Sequence, residues 1–76
     1  MRYICTTSDN GILYTSNSIT SIGKKLHNYI RRNYGEFYTV ITNKNNAYTN
    51  STKINKPGTY TIVTSKATFN VEINYI

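Results

Sequence analysis

Tryptophan is missing from this chain, and cysteine, histidine, proline and methionine occur once each. A single cysteine, Cys5, rules out an intrachain disulfide and a Cys-rich zinc site. Small domains in oxidising compartments usually carry several bridges, so the shortage points to the cytoplasm, or to the host cytoplasm if the protein is phage-encoded. No apolar run exceeds three residues, as in Ile12-Leu13-Tyr14. That is too short for a membrane span or a signal-peptide h-region, and no membrane partner is expected.

The acids are equally few: Asp9, Glu36 and Glu72. Two-metal and paired-carboxylate sites need more, so neither is expected. Asp9 suits the turn before Asn10-Gly11, and Glu72 suits the polar face of a strand. The glycines, Gly11, Gly23, Gly35 and Gly58, are too scattered to cradle a phosphate. His27 has no carboxylate as a sequence neighbour and reads as a boundary residue without chemistry. Cys5 lies mid-strand with no flanking cation or helix N-terminus to activate it, and reads as core packing. The sequence thus offers no catalytic residue, no metal ligand set and no cofactor motif, and the expectation is that the protein is not an enzyme. The enzyme class least excluded is a metal-free ribonuclease, which can work with His, Lys, Arg and Tyr alone.

Basic residues are abundant. Nine lysines and arginines against three acids leave a formal charge of +6 on 76 residues. Such a surplus on one small domain draws nucleic acid or an acidic protein surface. A chain of this length buries only about 60% of its unfolded surface, so a single modest core is expected over residues 1–76. Asn, Ile, Lys and Tyr are heavily used and have AT-rich codons, which suggests a low-GC bacterium or one of its phages as the source.

The order of elements can be read from periodicity. Residues 1–8 are rich in strand formers, Asn10-Gly11 favours a two-residue type I′ turn, and Ile12 to Thr15 reads as the return strand. From Ser18 to Tyr34 the apolar spacing lengthens. Ile19, Ile22, Leu26, Tyr29 and Ile30 fall within about a 100° arc of one helix. Asn17 or Ser18 can cap its start and Gly35 its end. Glu36 to Asn43 alternates with apolar groups in both sets, as a central strand does. Residues 43–46 read as a turn, and Ala47-Tyr48-Thr49 as a candidate short strand. Residues 50–58 read as the loosest stretch. Residues 59–64 and 67–76 read as a closing hairpin whose last strand buries Phe69, Val71, Ile73 and Tyr75. The expected fold is α+β: a small antiparallel sheet of about five strands, ordered β-β-α-β-β-β, with one amphipathic helix on one face.

Two surfaces remain as candidate sites. On the helical wheel Lys24, Lys25, Asn28, Arg31 and Arg32 form a strip opposite the apolar stripe, at 100° per residue. No acid lies within the helix to neutralise it. The sheet face away from the helix is expected to carry Tyr38 and Val40, with Tyr48 and Tyr60 and a share of the other tyrosines. It would serve as an interface or as a base-stacking platform. Free sheet edges could also support a homodimer by strand addition. Three functions follow as expectations. The first is a small phage-type inhibitor or adaptor acting on a host nucleic-acid-handling or defence protein. The second is direct, largely sequence-independent nucleic-acid binding through the helix. The third is the metal-free ribonuclease.

Overall fold

In the computed structural model residues 2–11, 13–42, 46–49, 54 and 56–76 are described. Most of the expected turn at 43–46 and most of the loose stretch at 50–58 lie outside these residues. Six strands and one helix follow in the order β1 (Tyr3–Thr7), β2 (Leu13–Ser16), α1 (Ile19–Tyr34), β3 (Tyr38–Ile41), β4 (Ala47–Thr49), β5 (Gly58–Thr64) and β6 (Thr68–Tyr75). The strands form one antiparallel sheet with the spatial order β2-β1-β6-β5-β3-β4. The first and last strands are therefore neighbours near its middle. β3 is an inner strand, as its two-sided apolar pattern implies, but it stands next to the edge strand β4.

Helix α1 starts where a side chain can satisfy its free amides. Ser18 is extended at φ −122°, and its hydroxyl accepts from the Ser21 N–H at 3.4 Å. The helix stops at Gly35, whose N–H donates to the Arg31 carbonyl at 3.2 Å. Gly35 has φ +103° and ψ 179°, a conformation almost confined to glycine. A Cβ built there meets nothing within 4 Å, so a side chain would suffer from the backbone alone. Gly35→Ala should cost about 1–2 kcal/mol. A urea melt reads this, and an unchanged midpoint would mean that the C-cap is not under constraint.

The stripe Ile22, Leu26, Tyr29 and Ile30 is buried together with Gly23. It packs on one sheet face made by Cys5, Tyr38, Val40, Tyr60, Ile62, Phe69, Val71 and Ile73. Antiparallel partners stand side by side on the same face, so the register fixes which residues share it. Ile62 lies between Val40 and Phe69, Tyr60 is opposite Val71, and Cys5 is opposite Ile73. Tyr48 is opposite Val40, and Tyr14 is opposite Cys5, which puts both on this side as well.

The expected face assignment is therefore reversed. Tyr38, Val40 and Tyr60 are 2%, 0% and 6% exposed, in the core beneath the helix, and half-buried Tyr48 continues that face at the edge. None of the four lines the open face. There, Thr39, Val63 and Thr68 form one row across the sheet, and Ile41, Thr61 and Asn70 the next. Thr59, Glu72 and Thr6 form a third. The open face is built from threonine, asparagine and scattered aliphatics, and it holds no described tyrosine.

Three smaller expectations also change. Tyr75 continues the alternation of β6 but is 56% exposed, resting on Tyr3 with ring centroids 5.0 Å apart. Ile54, within the stretch read as loose, is 3% exposed and belongs to the core. Beside it the Tyr60 hydroxyl donates to the Lys56 carbonyl at 2.6 Å. The first hairpin does not close through a two-residue turn. Thr6 is opposite Leu13, and the Gly11 N–H reaches back to the Thr7 carbonyl at 3.1 Å with Gly11 at φ +65°. The wider loop exists because its side chains are used elsewhere. Ser8 is stitched to Asn70 of β6 by two bonds of 2.8 Å, and Asp9 and Asn10 reach α1.

Candidate functional site

The helix that builds the core also builds the candidate site, because its apolar stripe points inward and leaves a polar arc outside. Lys24, Lys25, Asn28, Arg31 and Arg32 are all exposed on that arc. Lys24 and Arg31 are two turns apart, as are Lys25 and Arg32, about 10 Å along the axis in each case. Two parallel cationic rows thus run along the helix with Asn28 between them.

The rows lead to different flanks of the domain. Arg32 acts on Tyr14 of β2, whose phenol is raised by burial and by Cys5 while the guanidinium opposes that rise. Arg31 acts on Tyr38 of β3 in the same sense, again against burial. Each flank holds a shallow depression. One of about 310 Å³ is lined by Asn28, Arg31, Arg32 and Glu36. The other, about 200 Å³, is lined by Tyr14, Lys25, Asn28, Tyr29, Arg32 and Asn33. Asn28 and Arg32 belong to both and so join Lys25 to Arg31 across the helix, whereas Lys24 lines neither.

Glu36 is the member that composition does not suggest. It lies just beyond the Gly35 stop, and its Oε1 is 3.1 Å from Arg31 Nη2, with the two side chains 49% and 68% exposed. An exposed pair of this kind adds little to stability. It does show that an Arg31 fork on this surface can take a carboxylate. The signal was there to read: an acid five residues past an arginine, across a helix-terminating glycine.

Asp9, Tyr29, Tyr34, His27 and Cys5 are engaged within the fold. Asp9 Oδ2 accepts hydrogen bonds from the phenols of Tyr29 and Tyr34. The Asn10 amide donates to the Tyr29 oxygen at 3.0 Å. Burial works against the Asp9 charge, but hydrogen bonds from Thr7, Tyr29, Tyr34 and the Asn10 backbone outweigh it and hold the carboxyl at about 2. The same carboxylate, with burial, pushes both phenols upward. The Tyr34 ring stacks on Phe69 at 5.1 Å, and Tyr29 meets it edge-on at 6.4 Å. His27 is half-buried, with Nδ1 hydrogen-bonded to the Tyr38 hydroxyl. Cys5 is fully buried, and burial pushes its thiol up to about 11, which suits packing and not nucleophilic chemistry.

Among the described residues no group of three or more His, Cys, Asp or Glu is placed to hold a metal ion. No helix among them is long and apolar enough to cross a membrane. Comparison with protein-family models, curated proteins and solved structures finds no match to the chain.

Proposed function

We propose that this protein is a non-enzymatic binding domain that sets the outer face of α1 against an acidic surface of another protein. The observation that carries the reading is the exposed strip itself: four cations and Asn28 on one helical face, with no acid in the helix. Protein surfaces usually mix signs, and a one-sign strip raises both the rate and the selectivity of docking to its opposite. The Arg31–Glu36 pair shows that the Arg31 fork can hold a carboxylate, the group an acidic protein surface presents. Removal of the expected tyrosine platform from the open face works in the same direction, since single strands bind best where bases can stack. Size, charge and AT-rich residue usage together suit a phage-type inhibitor or adaptor that occupies an acidic patch on a host nucleic-acid-handling or defence protein in the cytoplasm.

The two parallel cationic rows support direct nucleic-acid binding as a second reading. Four phosphate contacts would give a log K against log salt slope near −3.6 on duplex DNA, at about 0.9 per contact.

One experiment separates the readings. Tagged protein is used to capture partners from a low-GC bacterial lysate, with and without nuclease, beside gel shifts on DNA and RNA at low salt. Capture of a specific protein that survives nuclease is expected. The double variant Lys24→Glu/Arg31→Glu should weaken that capture at least about 100-fold, since like charges facing each other cost several kcal/mol. A partner that disappears with nuclease, together with the steep salt slope, would favour the second reading. Undiminished binding by the double variant would remove the helix from both.

A further inference from the structure

The open face of the sheet has a composition unlike the rest of the molecule. On a chain of +6, its three central rows carry one charged side chain, Glu72. Arg2 stands at one corner, its guanidinium donating to Thr15 at 3.2 Å, so the face is near neutral overall. Most of its other members are β-branched or amide side chains, with Ile4, Ile41 and Val63 among them. Val63 is 36% exposed, and Phe37, just ahead of β3, is 74% exposed. A soluble surface ordinarily holds about 25–35% charged residues. Depletion of charge is the compositional mark of an interface core.

We infer that this face pairs with the same face of a second copy of the chain, two sheets stacked about a two-fold axis. The charge pattern selects that occupant. In an isologous contact each patch meets itself, so a charged patch repels its own image. The basic helix cannot meet its copy for this reason, whereas the neutral sheet can. Face-to-face stacking also sends the two helices outward, which leaves both strips free for the partner proposed above. The area suits a weak contact. Six strands of three to eight residues, spaced about 4.8 Å apart at about 3.3 Å per residue, present roughly 500 Å² in projection. That is below the ~800 Å² per partner of a standard interface and fits a reversible dimer of modest affinity. The core holds no further use for these residues, since α1 covers only the opposite face.

Sedimentation equilibrium on the full chain tests this, at roughly 1–500 µM protein and physiological salt. A reversible dimer with Kd near 10 µM is expected. Val63→Glu and Thr61→Glu, each placing like charges across the axis, should weaken it about 100-fold or more. Val63→Thr should retain it. Circular dichroism melts show whether each variant is folded. Lys24→Glu/Arg31→Glu should leave the dimer unchanged, so its loss of partner binding can be read separately. A wild-type monomer at the highest concentration overturns the inference. So does a dimer that survives both glutamates in folded protein, or one broken only by Thr15→Pro in the edge strand β2, which would indicate strand addition instead.

Discussion

Leu26→Ala should remove more than half of the stability of the fold. Leu26 is 0% exposed at the centre of the α1 stripe, between Ile22 and Ile30, which are 0% and 1% exposed. Truncating such a leucine removes its burial and leaves a cavity, at a cost of about 2–5 kcal/mol. Domains of this size hold roughly 5 kcal/mol in total. A ΔΔG near 3 kcal/mol lowers Tm by roughly 12–24 °C. The preceding residue provides the control. Lys25 is exposed on the outer strip, and Lys25→Ala should stay within about 0.5 kcal/mol of wild type. Urea melts of the two variants measure how sharply one turn of helix divides the core from the outer strip. Equal stabilities would mean that the helix is not held by this stripe.

The second large effect concerns Asp9, which ties the first hairpin to the helix. Asp9→Ala removes the shared acceptor of Tyr29 and Tyr34 and loosens Asn10 from Tyr29. Hydrogen bonds to charged groups contribute about 1.5–3 kcal/mol each, and the freed phenols can recover part of that from water. A net loss of about 2–3 kcal/mol is expected. The same group predicts a pH dependence. Its carboxyl is at about 2 in the folded protein, against an ordinary 3.8. A lowered folded value contributes stability that is present above pH 4 and lost as pH falls from 4 towards 2. Allowing for solvent screening, that contribution is about 1–2 kcal/mol. Asp9→Asn should be less stable than wild type at pH 7 and should lose less between pH 4 and 2. Parallel curves for the two proteins would show that the carboxylate is not the linked group.

Most of the helix could be read in advance because its evidence is local. The spacing of Ile19, Ile22, Leu26, Tyr29 and Ile30, the Ser18 cap and the Gly35 stop lie within one segment. They fix both the buried stripe and the strip opposite it. The sheet faces could not be read in this way. Residues 37–42 offer apolar groups on both alternations, and tyrosine suits either a core or a surface. The choice was made by register, which places Val40 beside Ile62 and Ile62 beside Phe69. Nothing within β3 encodes that pairing.

Asp9 stands in the turn as expected, but its contacts with the helix could not be read for a related reason. Alone beside Asn10-Gly11 it looks like a turn residue, and its partners are 20 and 25 positions away. The longer hairpin loop follows from those contacts. Glu36 lies two residues past the end of α1, outside the wheel that defines the strip, yet its carboxylate still reaches Arg31.

The adjacency of β1 and β6 bears on how the molecule is made. Tyr3 pairs with Tyr75 and Cys5 with Ile73, so the strands that meet near the middle of the sheet come from opposite ends of the sequence. The first hairpin and the helix can form from local contacts, but the seam awaits the much later residues of β6. Contacts of such high sequence separation slow folding. Until Phe69, Val71 and Ile73 are delivered, α1 has only part of its floor. A growing chain thus carries its cationic helix before it has a finished domain, and the core closes only once β6 is made.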